Sequence, residues 1–375
     1  MGSSIRLGKL FGIPLRLNIT WFIIFALVTV SLSLYEFPRG YPFWPSWQYW
    51  VVGIATSLLF FASVLVHELA HSIIAVNNGI PVKSITLFVF GGVSEISKEA
   101  EHPSIELVMS AAGPLTSLAL AGLFAGLWWL TRGVSESLAA LGIWLGRINL
   151  MLAIFNLMPA FPLDGGRVLR SLIWGATKNY RRSTHVASLA GQGIAYLMIF
   201  VGVMSLFGVG VFDRASGLWI AFIGWFLANA ASASYRQVVF RDLLKGFKAA
   251  DLMVRDCPSI APRMTLKELV QDYILPTSRR CFLVMENDRL GGIVTLHNIR
   301  GVPQERWDTT TISQIMTPIE GMKTVNPEDE ALAILERMDE GDINQMPVVS
   351  DGRVIGMISR DNVLHFIRTR SELGV

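Results

Sequence analysis

The string His67-Glu68-Leu69-Ala70-His71 puts two imidazoles and a carboxylate within little more than one helical turn. Residues i and i+4 of a helix share a face, so both rings can reach one metal ion while Glu68 stands beside them to take a proton from metal-activated water. That chemistry is metal-assisted hydrolysis of a peptide bond. The string lies inside an apolar run from Trp50 to Val76, where ionisable groups are costly and by default mark a functional site.

A catalytic zinc takes three protein ligands and leaves one position for water. The third ligand must come from elsewhere at a similar depth. Glu36, Glu136 and Asp213 fall on the opposite side of the bilayer, Glu95, Glu99, Glu101, His102 and Glu106 cluster in or beside the segment after the His-bearing span, and His185 enters a later span. Asp164 stands out, at the end of the run from Asn156 to Arg167 that reads NLMPAFPLDGGR. Pro159 and Pro162 break a helix there and Gly165-Gly166 free the backbone, so irregular chain is expected to carry the carboxylate into a helical bundle. Depth agrees, since His67 lies about 17 residues, roughly 26 Å, into an inward-running span, which places it in the cytoplasmic third with Asp164. Asn156 either bonds a neighbouring helix or donates to a developing oxyanion.

These groups need a scaffold that crosses a membrane. The chain has 375 residues, 52% hydrophobic and 16% charged, with mean hydropathy +0.46. Residues 1–235 hold 14 Lys/Arg and 9 Asp/Glu, whereas residues 236–375 hold 18 and 20, so two solvents are implied. A spanning helix needs about 20 mostly apolar residues. Six segments qualify: Leu17 to Tyr35, Trp50 to Val76, Ile105 to Leu130, Leu138 to Phe161, Val186 to Val211 and Gly217 to Tyr235. The first has no convincing cleavage site and is read as retained. The loops on one side hold fourteen Lys/Arg and those on the other only Arg39, Arg132 and Arg214, which orients both termini toward the cytoplasm of a multi-pass cell-membrane protein. The outer loop from Tyr35 to Trp50 is dense in Tyr, Trp and Pro and reads as an anchor at the lipid headgroups. Pro81 to Ile96 is rich in β-branched and aromatic residues and interrupted by Gly91-Gly92, which predicts a small hairpin or sheet with an unpaired edge.

The polar tail has no strong basic excess, which argues against a nucleic-acid partner. Its Cys257 and Cys281 fit neither a disulfide framework nor a thiolate metal cluster. Residues 251–370 repeat internally at an offset of 63 or 64: Met253 with Met316, Gly292 with Gly356, Thr295 with Ser359. A tandem α/β module of about 60 residues per unit follows, with amphipathic helices at Leu266 to Tyr273 and Asp329 to Met338.

Most of residues 50–170, within a membrane domain expected at 1–240, resembles the site-2 protease family of intramembrane zinc metalloproteases, through HELAH, the FGG of Phe90 to Gly92, AAGPLTS from Ala111 to Ser117, and FNLMPAFPLDGG from Phe155 to Gly166. The resemblance implies that His67, His71 and Asp164 bind Zn2+, that Glu68 is the general base, and that Asn156 assists near the scissile carbonyl. It also implies that the strand at Gly91 and Gly92 receives the unwound substrate as an added β-strand. The substrate class is then a transmembrane segment of another protein. The tail resembles a pair of cystathionine-β-synthase (CBS) domains, at 251–308 and 309–370. Such pairs hold adenine nucleotides, with Thr295, Asn298, Ser359, Asp361 and Asn362 at the positions concerned. The acid of the family signature is replaced by Asn298 in one unit and Asn362 in the other, with Asp361 adjacent, so homodimerisation through the tail stands beside nucleotide binding as its role.

The fold expected is therefore a polytopic α-helical membrane domain with a small membrane-associated β-sheet, followed by a cytoplasmic α/β tandem. Two other functions compete: a CBS-regulated channel or transporter, and a catalytically inactive homologue that binds membrane helices. The first is disfavoured because the intramembrane ionisable groups form one ligand set rather than a graded path, the second because no proposed ligand is substituted.

Overall fold

The computed structural model describes residues 4–89, 91–96, 99–209, 212–255, 258–277, 281–286, 289–318, 322–341, 343–351 and 353–373. The chain forms two compact units, Met1–Val238 and Val239–Val375.

Among the described residues, six helices are long and apolar enough to cross a membrane. They are α1 (Thr20–Gly40, with a π-turn at Leu32–Glu36), α2 (Ser46–Asn77), α3 (Pro103–Thr131), α4 (Glu136–Asn156), α6 (Tyr180–Leu206) and α7 (Arg214–Leu244). Between α4 and α6 lies the shorter α5 (Asp164–Thr177). Local sequence sets these limits: Ser135 caps α4, Asn179 caps α6 by accepting from the Arg182 amide at 2.9 Å, and Pro103 occupies the first turn of α3.

The expected hairpin is half of a larger sheet. β1 (Ser4–Leu10), β2 (Ile13–Asn18), β3 (Val82–Phe88) and β4 (Gly91–Ile96) pair in that order. β1 and β2 form an antiparallel hairpin, β2 runs parallel to β3 with Leu15 opposite Ile85, and β3 and β4 are antiparallel with Val82 opposite Ile96. The N-terminal strands escaped the sequence reading because their Arg6, Lys9 and Arg16 read as a basic cytoplasmic lead. Ile13, Leu15 and Leu17 instead point into clusters with Leu65, Leu69, Ile85 and Leu87. Leu17 therefore belongs to a strand, and α1 starts only after Asn18, whose side chain accepts from the Thr20 amide at 3.0 Å. β4 remains an edge strand among the described residues, as expected.

Further expectations change. The fourth span ends at Asn156 rather than Phe161, and Asp164 opens a regular helix instead of riding on irregular chain. Gly165 and Gly166 are not there to loosen the backbone: side chains at either would collide with backbone of the 157–161 turn, so they let α5 fold back closely upon it. The aromatic loop is only partly interfacial. Phe43 and Trp47 are exposed at 96% and 66%, but Phe37 and Trp44 are buried with Leu141 and Leu145. Trp44 stacks on Tyr41 at 4.5 Å and donates to Glu136 Oε2 at 2.9 Å, which ties the loop to the start of α4.

Among the described residues the second unit holds two sheets. β5 (Ser259–Ile260), β6 (Cys281–Glu286), β7 (Arg289–Thr295) and β8 (Thr317–Pro318) form one; β9 (Gln345–Ser350) and β10 (Arg353–Ser359) form the other, with α8 (Ala331–Glu340) and α9 (Arg360–Leu373) beside them. The helix expected from Leu266 to Tyr273 starts at Leu266 and passes into a π-turn over Leu269–Ile274. The repeats exchange their leading segments. Thr317 pairs with Ile293 of the first repeat, and Val254 pairs with Met357 of the second. Ile312 accordingly packs with Ile260 and Phe282, whereas Ala249 and Leu252 pack with Val348 and Val363. Each spatial half thus takes its first segment from the other repeat.

Candidate metal centre

His67 and His71 lie on one face of α2 and are both buried, and Asp164 is the first residue of α5. Asp164 Oδ2 is 3.2 Å from His67 Nε2 and 3.2 Å from His71 Nε2, and the two nitrogens are 3.3 Å apart. A tetrahedral zinc with bonds of about 2.0–2.1 Å has ligand atoms about 3.3 Å apart, so the triangle fits one zinc and leaves the fourth apex open. These three are the group suited to a metal among the described residues.

The face of α3 behind the rings holds them in the right form. Its Met109, Gly113 and Ser117 recur every fourth residue. His71 Nδ1 is 2.6 Å from the Met109 carbonyl, and His67 Nδ1 is 2.8 Å from Ser117 Oγ. A carbonyl can only accept, so His71 Nδ1 carries the proton and Nε2 turns its lone pair inward, as ligation requires. Gly113 sits between them. A Cβ there would overlap His71 Nε2 and stand 2.6 Å from His67 Nε2, in the space a metal bound by both would need. Sequence reading placed Gly113 and Ser117 in a motif without a role and did not single out Met109; the fourfold spacing was the available signal.

Glu68 points toward β4. Its Oε2 accepts from Ser94 Oγ at 2.7 Å, and a side chain at Gly92 would stand 2.5 Å from its Cγ. Gly91 begins the strand at φ +124°, and Phe90 lies outside the described residues. Asn156 ends α4 half-buried and makes no side-chain hydrogen bond among the described residues. The competing acids are engaged elsewhere: Glu95 accepts from Ser84, Glu99 from Tyr180, and Glu136 from Trp44. His185 packs against Tyr235, with ring centroids 4.7 Å apart.

Glu106 has a structural role that the sequence did not disclose. It is 2% exposed and forms an ion pair with Arg170, itself 4% exposed, with Nε 2.8 Å from Oε1. The guanidinium is held between the rings of Phe161 and Tyr180, at 4.9 and 4.7 Å from their centroids. This pair joins α5, and so Asp164, to the helix that supports both imidazoles.

In the second unit Thr295, Asn298, Ser359 and Asp361 line one cleft of about 610 Å³, together with Arg300, Lys323 and Arg360. Asn298 accepts from the Thr295 amide and hydroxyl and donates to Thr317 Oγ1, so it closes the capping box of the helix that Thr295 caps. Asn362 does not line the cleft; its amide donates to Ser359 Oγ. The three basic residues were not singled out from the sequence, because they come from separate segments.

The family model described as peptidase family M50 matches residues 55–137 and 132–200, and that of the CBS domain matches 312–369. A Synechocystis sp. protein named as a zinc metalloprotease is 36% identical, over 98% of this chain and 97% of the relative. A zinc metalloprotease of Methanocaldococcus jannaschii is 30% identical, over 97% of this chain and 96% of the relative. The solved site-2 protease from Methanocaldococcus jannaschii superposes with TM-score 0.42 and 30% identity, over 62% of this chain and 94% of that one.

Proposed function

Since the chain belongs to peptidase family M50, the site-2 protease family of zinc metalloproteases, and carries a CBS domain, we propose that it cleaves transmembrane segments of other membrane proteins at the centre formed by His67, His71 and Asp164. The observation that carries this reading is the ligand triangle with sides of 3.2, 3.2 and 3.3 Å, its rings oriented from behind by α3.

Zinc held there would polarise the scissile carbonyl and lower the pKa of water. Glu68 then accepts the water proton and returns it to the leaving amine, so that the nitrogen departs as a neutral amine. Asn156, with its amide uncommitted, donates to the carbonyl oxygen as charge develops there. The edge of β4 at Gly91 and Gly92 takes the unwound substrate as an additional strand, which satisfies the substrate backbone inside an apolar setting. The Lys/Arg asymmetry supports a multi-pass topology with both termini in the cytoplasm.

The tail acts as a regulatory or dimerising module. The cleft lined by Thr295, Asn298, Ser359 and Asp361 takes an adenine nucleotide, and Arg300, Lys323 and Arg360 favour its phosphates.

The decisive test is Glu68→Gln in the purified full-length protein. It should retain about one zinc per chain, as for a single three-ligand site, and lose cleavage of an unstructured probe such as β-casein. As a trap in native membranes it should retain substrates that mass spectrometry can identify. Normal cleavage by this variant would overturn the assignment.

A further inference from the structure

β4 lies along α2 and runs in the same direction. The face bearing Gly92, Ser94 and Ile96 is turned to the helix: Gly92 is against Glu68, Ser94 against Glu68 and Ser72, and Ile96 packs with the cluster around Ala75. Within this register the Ser94 hydroxyl is 2.7 Å from Glu68 Oε2 and 3.4 Å from the Glu68 carbonyl. Ser72, fully buried one turn beyond Glu68, has its Oγ 3.1 Å from Ser94 Oγ. A hydroxyl has one proton to give. Directed along the shortest of these contacts it goes to the carboxylate, while the Ser72 hydroxyl has its own shortest contact, 2.9 Å, at the Glu68 carbonyl.

We propose that Ser94 is a positioning residue that aims the Glu68 carboxylate, so that one strand sets both the general base and the substrate. The edge of β4 is where the Proposed function seats the substrate backbone, and this inference rests on that reading. Its face holds the base. A substrate strand in register with β4 thereby has its scissile carbonyl fixed relative to Oε1, the carboxylate oxygen that Ser94 leaves free. Gly92 is part of the same fit, since any side chain at that position would push Glu68 aside. A carboxylate on a flexible side chain otherwise samples several rotamers, and only a fraction of them face the water.

The test uses the full-length enzyme in detergent with labelled β-casein as the probe. Ser94→Ala should lower kcat about tenfold to a hundredfold, as loss of an outer-shell partner does, with KM within about twofold and zinc content unchanged. Ser94→Thr, which keeps the hydroxyl, should recover most of kcat. Wild-type kcat in Ser94→Ala would overturn the proposal. So would a loss shared by Ser94→Thr or accompanied by loss of zinc, since each indicates a packing role. The outcomes separate from the underlying reading: activity in Glu68→Gln overturns that reading, whereas an inactive Glu68→Gln beside a fully active Ser94→Ala overturns only the role of Ser94.

Discussion

Gly113 lies so close to His71 that a methyl group at its position would overlap the ring nitrogen facing Asp164. The absence of a side chain on α3 is therefore what keeps the ligand space open. Gly113→Ala should reduce bound zinc at least tenfold at a fixed chelator concentration, with activity falling in parallel, as elemental analysis and a cleavage assay would record. Full zinc content in this variant would show that the space in front of the rings is not where the metal sits.

Ser117 acts on the opposite side of His67. Its Oγ lies 2.8 Å from Nδ1, where it can accept the ring proton when Nε2 serves as the ligand atom. Ser117→Ala is expected to weaken zinc affinity about tenfold to a hundredfold without unfolding the protein, because the residue is an outer partner of a ligand. Competition with a metal indicator would measure it.

The buried pair of Glu106 and Arg170 should show the asymmetry of such pairs. Removing one partner, as in Arg170→Met, leaves a buried charge without its counter-ion and should cost about 3–5 kcal/mol. The double change Glu106→Gln with Arg170→Met should cost less than Arg170→Met alone. Thermal unfolding in detergent would compare the two. A double variant as unstable as the single one would mean that packing, not charge, dominates there.

Removal of the metal should be reversible. Treatment with 1,10-phenanthroline should abolish cleavage, and stoichiometric zinc should restore it in the native protein but not in Asp164→Ala, which lacks the third ligand. Restoration in Asp164→Ala would displace Asp164 from the ligand set.

The cleft of the second unit predicts a charge-dependent ligand. If Arg300, Lys323 and Arg360 meet phosphates, Lys323→Ala should weaken ATP more than adenosine, and added salt should weaken ATP in the native protein. Calorimetric titration would separate the two. Equal affinity for ATP and adenosine would remove the phosphates from the account.

By itself the sequence pointed to the chemistry and to the outline of the architecture. His67 and His71 are four residues apart on a helix, and helical geometry alone puts them on one face; the six apolar runs are long enough that a bilayer is their natural solvent. The tandem repeat was legible because its offset is nearly constant. Tertiary structure decided everything that depends on which distant segments meet. Glu106 and Asp164 are both acids near the ends of long apolar helices, and nothing local separates them; Arg170 neutralises the first, while the fold of α5 brings the second to the imidazoles. Met109, Gly113 and Ser117 look like ordinary residues of an apolar helix until α2 is packed against them. Strands β1 and β2 carry too many basic residues to announce themselves, and they form because β3 and α2 offer an edge and an apolar face. The physical reason is the same throughout: local geometry fixes the spacing of side chains along an element, whereas the partner of a buried polar group is chosen by desolvation, which acts only once the chain has packed.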